Sequence, residues 1–219
     1  MEVLGRVVDW RFALLVAATV TAACLTSCGP EGPSPKPDPT SAVQQIVEPA
    51  FNADSAYAYV AQQVAFGPRV PNTEAHEACA QWLASELTRH GAEVTVQEGR
   101  ARAFDGTVLN MKNIVGTFHS ESRDRILLFA HWDTRPFADK DSTRVREPID
   151  GANDGGSGVG VLLEIARQLG ETAADVGVDI VFFDAEDYGK PEWLPSTEDA
   201  YQTWCLGSQF WSKNPHRLG

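Results

Sequence analysis

Three short segments hold the side chains that could do chemistry: His131-Trp-Asp133, Asp154 within Gly151-Ala-Asn-Asp-Gly-Gly-Ser-Gly158, and Asp184-Ala-Glu186-Asp187. His131 and Asp133 stand two apart at the end of an apolar run. In a strand they fall on one side of the chain, where they can share a metal or leave the aspartate to orient the imidazole. A hydrogen-bonded surface pair is the plainer alternative. Asp154 lies in a glycine-rich turn before a helical pattern, where backbone can come close to a ligand and a carboxylate can point into a cleft. The same position also suits a helix N-cap. Glu186 and Asp187 are adjacent, and neighbouring side chains at a strand end diverge. One can then bind a metal while the other moves protons, unless both are solvated charges. Taken jointly, the three groups predict metal-assisted acid–base chemistry.

The surrounding pattern predicts how these groups meet. Residues 54–66 and 74–90 read as helices. The second has Ala75, Cys79, Trp82, Leu83 and Leu87 at helical spacing, Asn72 or Thr73 as cap and Gly91 as stop. Residues 92–97 alternate like a half-exposed strand, and 109–118 contain another. The apolar runs 125–130 and 178–183 predict strands buried on both faces, and 159–169 reads as a buried crossover helix between them. Strand, helix and strand form a βαβ unit, so the fold class is α/β, a mixed, centrally parallel sheet with helices on both faces. Sites in such sheets form where strands end at their carboxyl edge. His131 and Asp184 follow the two central strands there, and the Asp154 turn feeds the crossover helix.

Other chemistries lack their signatures. His76-Glu77 has no second histidine at zinc-helix spacing, Gly155-Gly-Ser157-Gly-Val159 is not a nucleophile elbow, and 156–160 neither follows a strand nor carries the third glycine of a dinucleotide loop. The 219 residues are 43% hydrophobic and 22% charged, enough for one globular core. A formal charge of −12 argues against electrostatic capture of nucleic acid or of an anionic membrane.

The first 27 residues read as an export signal. Arg6 and Arg11 precede an apolar run over 12–23 that is too short to span a bilayer. Leu25-Thr-Ser-Cys28 resembles a bacterial lipobox, which implies acylation at Cys28. Residues 28–41, with Pro30, Pro33, Pro35, Pro37 and Pro39, predict a stiff tether of roughly 40 Å at about 3.1 Å per residue. The globular domain occupies 42–219. These features place it outside the cytoplasm, lipid-anchored to the cell envelope on a periplasmic or outer-membrane face. Cys79 and Cys205 are expected as buried free thiols, with a pairing left open.

Over residues 55–216 the chain resembles the zinc aminopeptidase superfamily that includes the glutaminyl cyclases, and most closely their bacterial branch. Ala130-His-Trp-Asp133, 151–158 and Phe183-Asp-Ala-Glu186-Asp187 carry the superfamily likeness. Phe66-Gly-Pro-Arg-Val-Pro-Asn-Thr73, Ala130-His-Trp-Asp-Thr-Arg-Pro136, Asp184-Ala-Glu-Asp-Tyr-Gly189 and Trp204-Cys-Leu-Gly-Ser-Gln-Phe-Trp211 carry the branch likeness. The resemblance implies Asp154 and Asp187 as zinc ligands and Glu186 as proton shuttle. It implies His131 as a ligand where two zinc ions bind, and Trp132, Trp193 and Trp204 as substrate walls. A cyclase implies one zinc ion and converts an N-terminal glutamine to pyroglutamate with release of ammonia. An aminopeptidase implies two zinc ions and hydrolyses the first peptide bond. Either takes a peptide or protein with a free N-terminus. A non-catalytic surface binding domain is a third reading. Relatives continue well beyond Asn214-Pro-His216 and carry a later histidine, so the resemblance also implies a C-terminally incomplete domain. Such a chain is expected to hold zinc weakly, to be nearly inactive, and to expose a sheet edge.

Overall fold

The computed structural model describes residues 50–172, 174–195 and 200–217. The export signal 1–27, the acylation site Cys28 and the tether 28–41 lie outside the described residues.

Asn52 caps helix α1 (Ala53–Ala65) by accepting the Ser55 amide at 3.0 Å. Thr73 caps α2 (Glu74–Arg89) by accepting the His76 amide. Strands β1 (Glu93–Arg102), β2 (Val108–Phe118) and β3 (Arg125–His131) follow, then α3 (Gly156–Glu171), β4 (Gly177–Phe183) and α4 (Leu206–Lys213). The sheet order is β1-β2-β4-β3. β1–β2 and β2–β4 pair antiparallel, and β3–β4 pair parallel, with α3 as their crossover. The mixed sheet with helices on both faces is as the sequence predicts, with parallel pairing confined to the β3–β4 side.

Period-two alternation divides the sheet into two faces. Ile114, Phe118, Val178, Ile180 and Phe182 pack beneath Leu83 and Leu87 of α2 and Leu162, Leu163 and Ala166 of α3. Val115, Val181 and Phe183 face the other way, against Trp211 of α4.

The two apolar runs separate here. All seven residues of β4 are buried, but β3 is an edge strand with Ile126 51%, Leu127 38% and Phe129 63% exposed. The expectation of burial on both faces therefore fails for β3, because among the described residues strand order leaves one flank without a neighbour. Cys79 is a buried free thiol; Cys205 is also free but exposed, because it lies in the turn before α4 and not in the core.

Candidate active site

The ends of β3 and β4 and the loop entering α3 converge at one edge of the sheet. Gly155 makes this approach possible: a Cβ there would lie 2.3 Å from the His131 carbonyl and 2.7 Å from its ring. The turn therefore rests directly on the end of β3. Asp154 does not cap α3, whose N-cap is Gly155 with no side-chain bond. Its carboxylate projects outward, and Oδ1 lies 2.8 Å from His131 Nε2.

His131 is held by carboxylates on both ring nitrogens, with Asp133 Oδ1 at 3.3 Å from Nδ1. Carboxylates only accept, so both nitrogens donate. Burial opposes this charge, but Asp133 and Asp154 outweigh it and raise the imidazole to about 9. Asp133 is fully buried and accepts the amides of Glu186 and Asp187, each at 3.1 Å. It orients the imidazole and anchors the Glu186–Asp187 turn, which selects orientation over metal sharing for this residue and rules out a surface pair.

The adjacent carboxylates do diverge, and neither is a solvated charge. Glu186 accepts the Ser208 amide on Oε1 at 2.7 Å and the Ser208 hydroxyl on Oε2 at 2.8 Å. Burial pushes its pKa up against those two bonds. Asp187 is pushed to about 7, chiefly by burial and then by Asp133, with Arg135 and His131 opposing. Its Oδ2 is buried without a hydrogen-bond partner.

Two cavities meet at these groups. One of about 400 Å³ is lined by Phe129, Phe183, His131, Glu186, Cys205 and Ser208; the other, of about 630 Å³, by Arg135, Phe137, Ile149, Lys190 and Trp204. Asp154 and Asp187 line both. Trp204 lines the larger cavity, with the Arg135 guanidinium 4.7 Å over its ring. Trp193 lines neither cavity; it sits edge-on to Phe137, 5.2 Å away. Trp132 is not a wall. It is fully buried, stacks on His76 at 4.5 Å and donates to the Lys112 carbonyl.

Arg135 and Ser208 were not singled out from the sequence, although both lie inside the branch-specific motifs. Arg135 donates bidentately to Asp139 and also to the Asp187 and Gly189 carbonyls, tying the loop after β3 to the loop after β4. The donor set fits zinc in kind: Asp154 and Asp187 are hard carboxylates, and the unpartnered Oδ2 of Asp187 is a buried acceptor with unused capacity. It falls short in number. Among the described residues no group of three or more His, Cys, Asp and Glu side chains is placed to hold a metal ion.

Residues 113–218 match the family model for peptidase family M28. The chain is 62% identical to the Tannerella forsythia glutaminyl cyclase over 78% of this chain and 59% of that one, with a TM-score of 0.75. It is 61% identical to a Zn-dependent exopeptidase from Parabacteroides distasonis, with the same coverage and a TM-score of 0.74. It is 54% identical, again over 78% and 59%, to a Bacteroides thetaiotaomicron glutaminyl cyclase solved with N-acetylhistamine, TM-score 0.76. The chain therefore spans about three-fifths of the length of these relatives.

Proposed function

We propose that the chain, whose residues 113–218 match the family model for peptidase family M28, acts as a zinc-dependent glutaminyl-peptide cyclotransferase. The observation that carries this reading is Glu186: a half-buried carboxylate whose pKa burial raises, lining the smaller cavity together with Asp154 and Asp187. The likeness to glutaminyl cyclases at 54 and 62% identity supports it.

Asp154 and Asp187 are the residues that would hold zinc, and a bound zinc ion supplies Lewis-acid polarisation of the substrate's γ-carboxamide carbonyl. Glu186 accepts a proton from the α-amine as the nitrogen attacks the carboxamide carbon. A carbon–nitrogen bond forms, closing the lactam. Glu186 returns the proton to the departing nitrogen as the old carbon–nitrogen bond breaks, and ammonia leaves. No water enters the balance. The Trp204 and Phe137 walls receive the remainder of the peptide. His131, engaged on both nitrogens by Asp133 and Asp154, acts as a charged partner to the Asp154 carboxylate.

The 61% likeness to a zinc exopeptidase favours a second reading, in which Glu186 activates water against the first peptide bond. Mass spectrometry of a glutamine-initiated peptide incubated with zinc and the chain decides between them. Loss of one ammonia is the cyclase result, and Glu186→Gln should abolish it. Release of a free amino acid overturns the cyclase reading. Acylation at Cys28 and a location on the envelope, with residues 1–27 removed, complete the proposal on the sequence pattern alone. Mass analysis of the exported protein tests it.

A further inference from the structure

A base that takes a proton and then returns it must keep its place through both steps, and one residue reaches both carboxylate oxygens of Glu186, with the Cys205 side chain as a further hydrogen-bond partner. We propose that Ser208 is the positioning residue of Glu186, clamping both carboxylate oxygens with its two donors; this rests on the reading of Glu186 as proton carrier. The amide reaches Oε1 at 2.7 Å and the hydroxyl reaches Oε2 at 2.8 Å. Two donors on two oxygens fix the plane of the carboxylate as well as its position.

The clamp is set by the sheet and the turn after it, independently of the Glu186 side chain; Cys205 N donates to the Glu186 carbonyl at 3.0 Å. Ser208 stands in the first turn of α4, where amides have no partner within the helix. That turn is pinned from below. Leu206 N donates to the Ala185 carbonyl at 3.1 Å and Asn113 Nδ2 donates to the Gly207 carbonyl at 2.9 Å. Gly207 lies so close to the end of β4 that a Cβ would sit 2.1 Å from the Asp184 carbonyl. The Ser208 donors are therefore held in place before substrate arrives, which is what positioning requires.

The hydroxyl also serves the protonated state. Ser208 Oγ lies 3.2 Å from the Cys205 carbonyl as well as 2.8 Å from Glu186 Oε2. While Glu186 is ionised, the hydroxyl donates to Oε2. Once Glu186 carries the proton, the hydroxyl hydrogen turns to the Cys205 carbonyl and Oγ accepts from the carboxyl group. Glu186 keeps a partner in both halves of the cycle without moving.

The test has two arms on the full chain. In the first, amide hydrogen exchange is followed by NMR in the unaltered protein, Glu186→Ala and Glu186→Gln. Loss of a hydrogen bond to a charged group should speed exchange at Ser208 about tenfold or more in the alanine variant. The glutamine variant, which keeps an acceptor, should stay protected, and the Gln209 amide, bonded within the helix, should not change. Unchanged Ser208 exchange in Glu186→Ala overturns the clamp. In the second arm, with zinc and a glutamine-initiated peptide, Ser208→Ala should lower kcat about tenfold or more at constant KM. Ser208→Thr, which keeps the hydroxyl, should restore it. A change in KM alone, or a threonine variant as slow as the alanine one, overturns it. If the unaltered chain turns over no peptide, as its shortfall of zinc ligands among the described residues allows, the exchange arm alone decides the clamp, and release of a free amino acid is the result that overturns the cyclase reading.

Discussion

Replacing Asp187 with asparagine should make the metal-free protein more stable at alkaline pH while removing its response to zinc. The structure raises this carboxyl from 3.8 to about 7, first through burial and then through Asp133. A group whose pKa is raised on folding binds protons more tightly in the folded state. Its ionisation therefore weakens the fold as pH rises from about 4 through about 7. At about 1.4 kcal/mol per pH unit the rise corresponds to a ceiling of roughly 4 kcal/mol. The side chain retains 14% exposure, and relaxation and solvent screening reduce the expected gain to about 1–3 kcal/mol. Asparagine keeps an oxygen for Arg135 Nη1, at 3.5 Å, and removes the charge from the position of the unpartnered Oδ2. The assay is denaturant unfolding with a chelator at pH 4 and pH 8.5, then with zinc. Asp187→Asn should match the unaltered chain at pH 4 and exceed it at pH 8.5. Zinc at about 100 times its dissociation constant should add roughly 2.7 kcal/mol to the unaltered chain and little to the variant. An equal difference at both pH values, or a variant less stable at pH 8.5, refutes the reasoning.

Three further outcomes follow from the same packing. Gly207→Ala forces α4 away from the Asp184 carbonyl, 2.1 Å from the new Cβ. It should cost about 1–3 kcal/mol by denaturant melt and release Ser208 amide protection. Glu164 is held down to about 2, mainly by the Arg167 guanidinium, with the Gln168 side chain and Asn52 amide assisting. A lowered carboxylate stabilises above its ordinary 4.5 and loses that contribution as pH falls toward 2, so Glu164→Gln should cost about 2 kcal/mol at pH 7 and almost nothing near pH 2 in denaturant melts. Phe129, 63% exposed on the edge strand, should drive self-association. Phe129→Lys should lower concentration-dependent light scattering without lowering the melting temperature.

Several elements were legible because local rules decide them. The α2 pattern, with Thr73 as cap and Leu83 and Leu87 inward, is set by helical period and capping chemistry, and the structure follows it within a residue. Trp132 shows a signal that was present and misread. The period of two that puts His131 and Asp133 on one side of the chain puts Trp132 on the other, which here is the core against His76. β3 shows where sequence carries no signal. Its apolar run resembles that of β4, yet one is an edge strand and the other is central. Only strand order distinguishes them.

The sequence by itself determined the α/β class and the grouping of His131, Asp154, Glu186 and Asp187 at one edge. Strand period, the crossover rule and the loops at carboxyl ends act over a few residues or one βαβ unit, so they can be read along the chain. Tertiary structure decided what each group does. It sent Asp133 to the buried amides of Glu186 and Asp187, left Asp187 Oδ2 without a partner, and brought Ser208, 22 residues away, onto both oxygens of Glu186. Those roles depend on burial and on donors from distant segments. Neither is set until α4 closes over the end of β4.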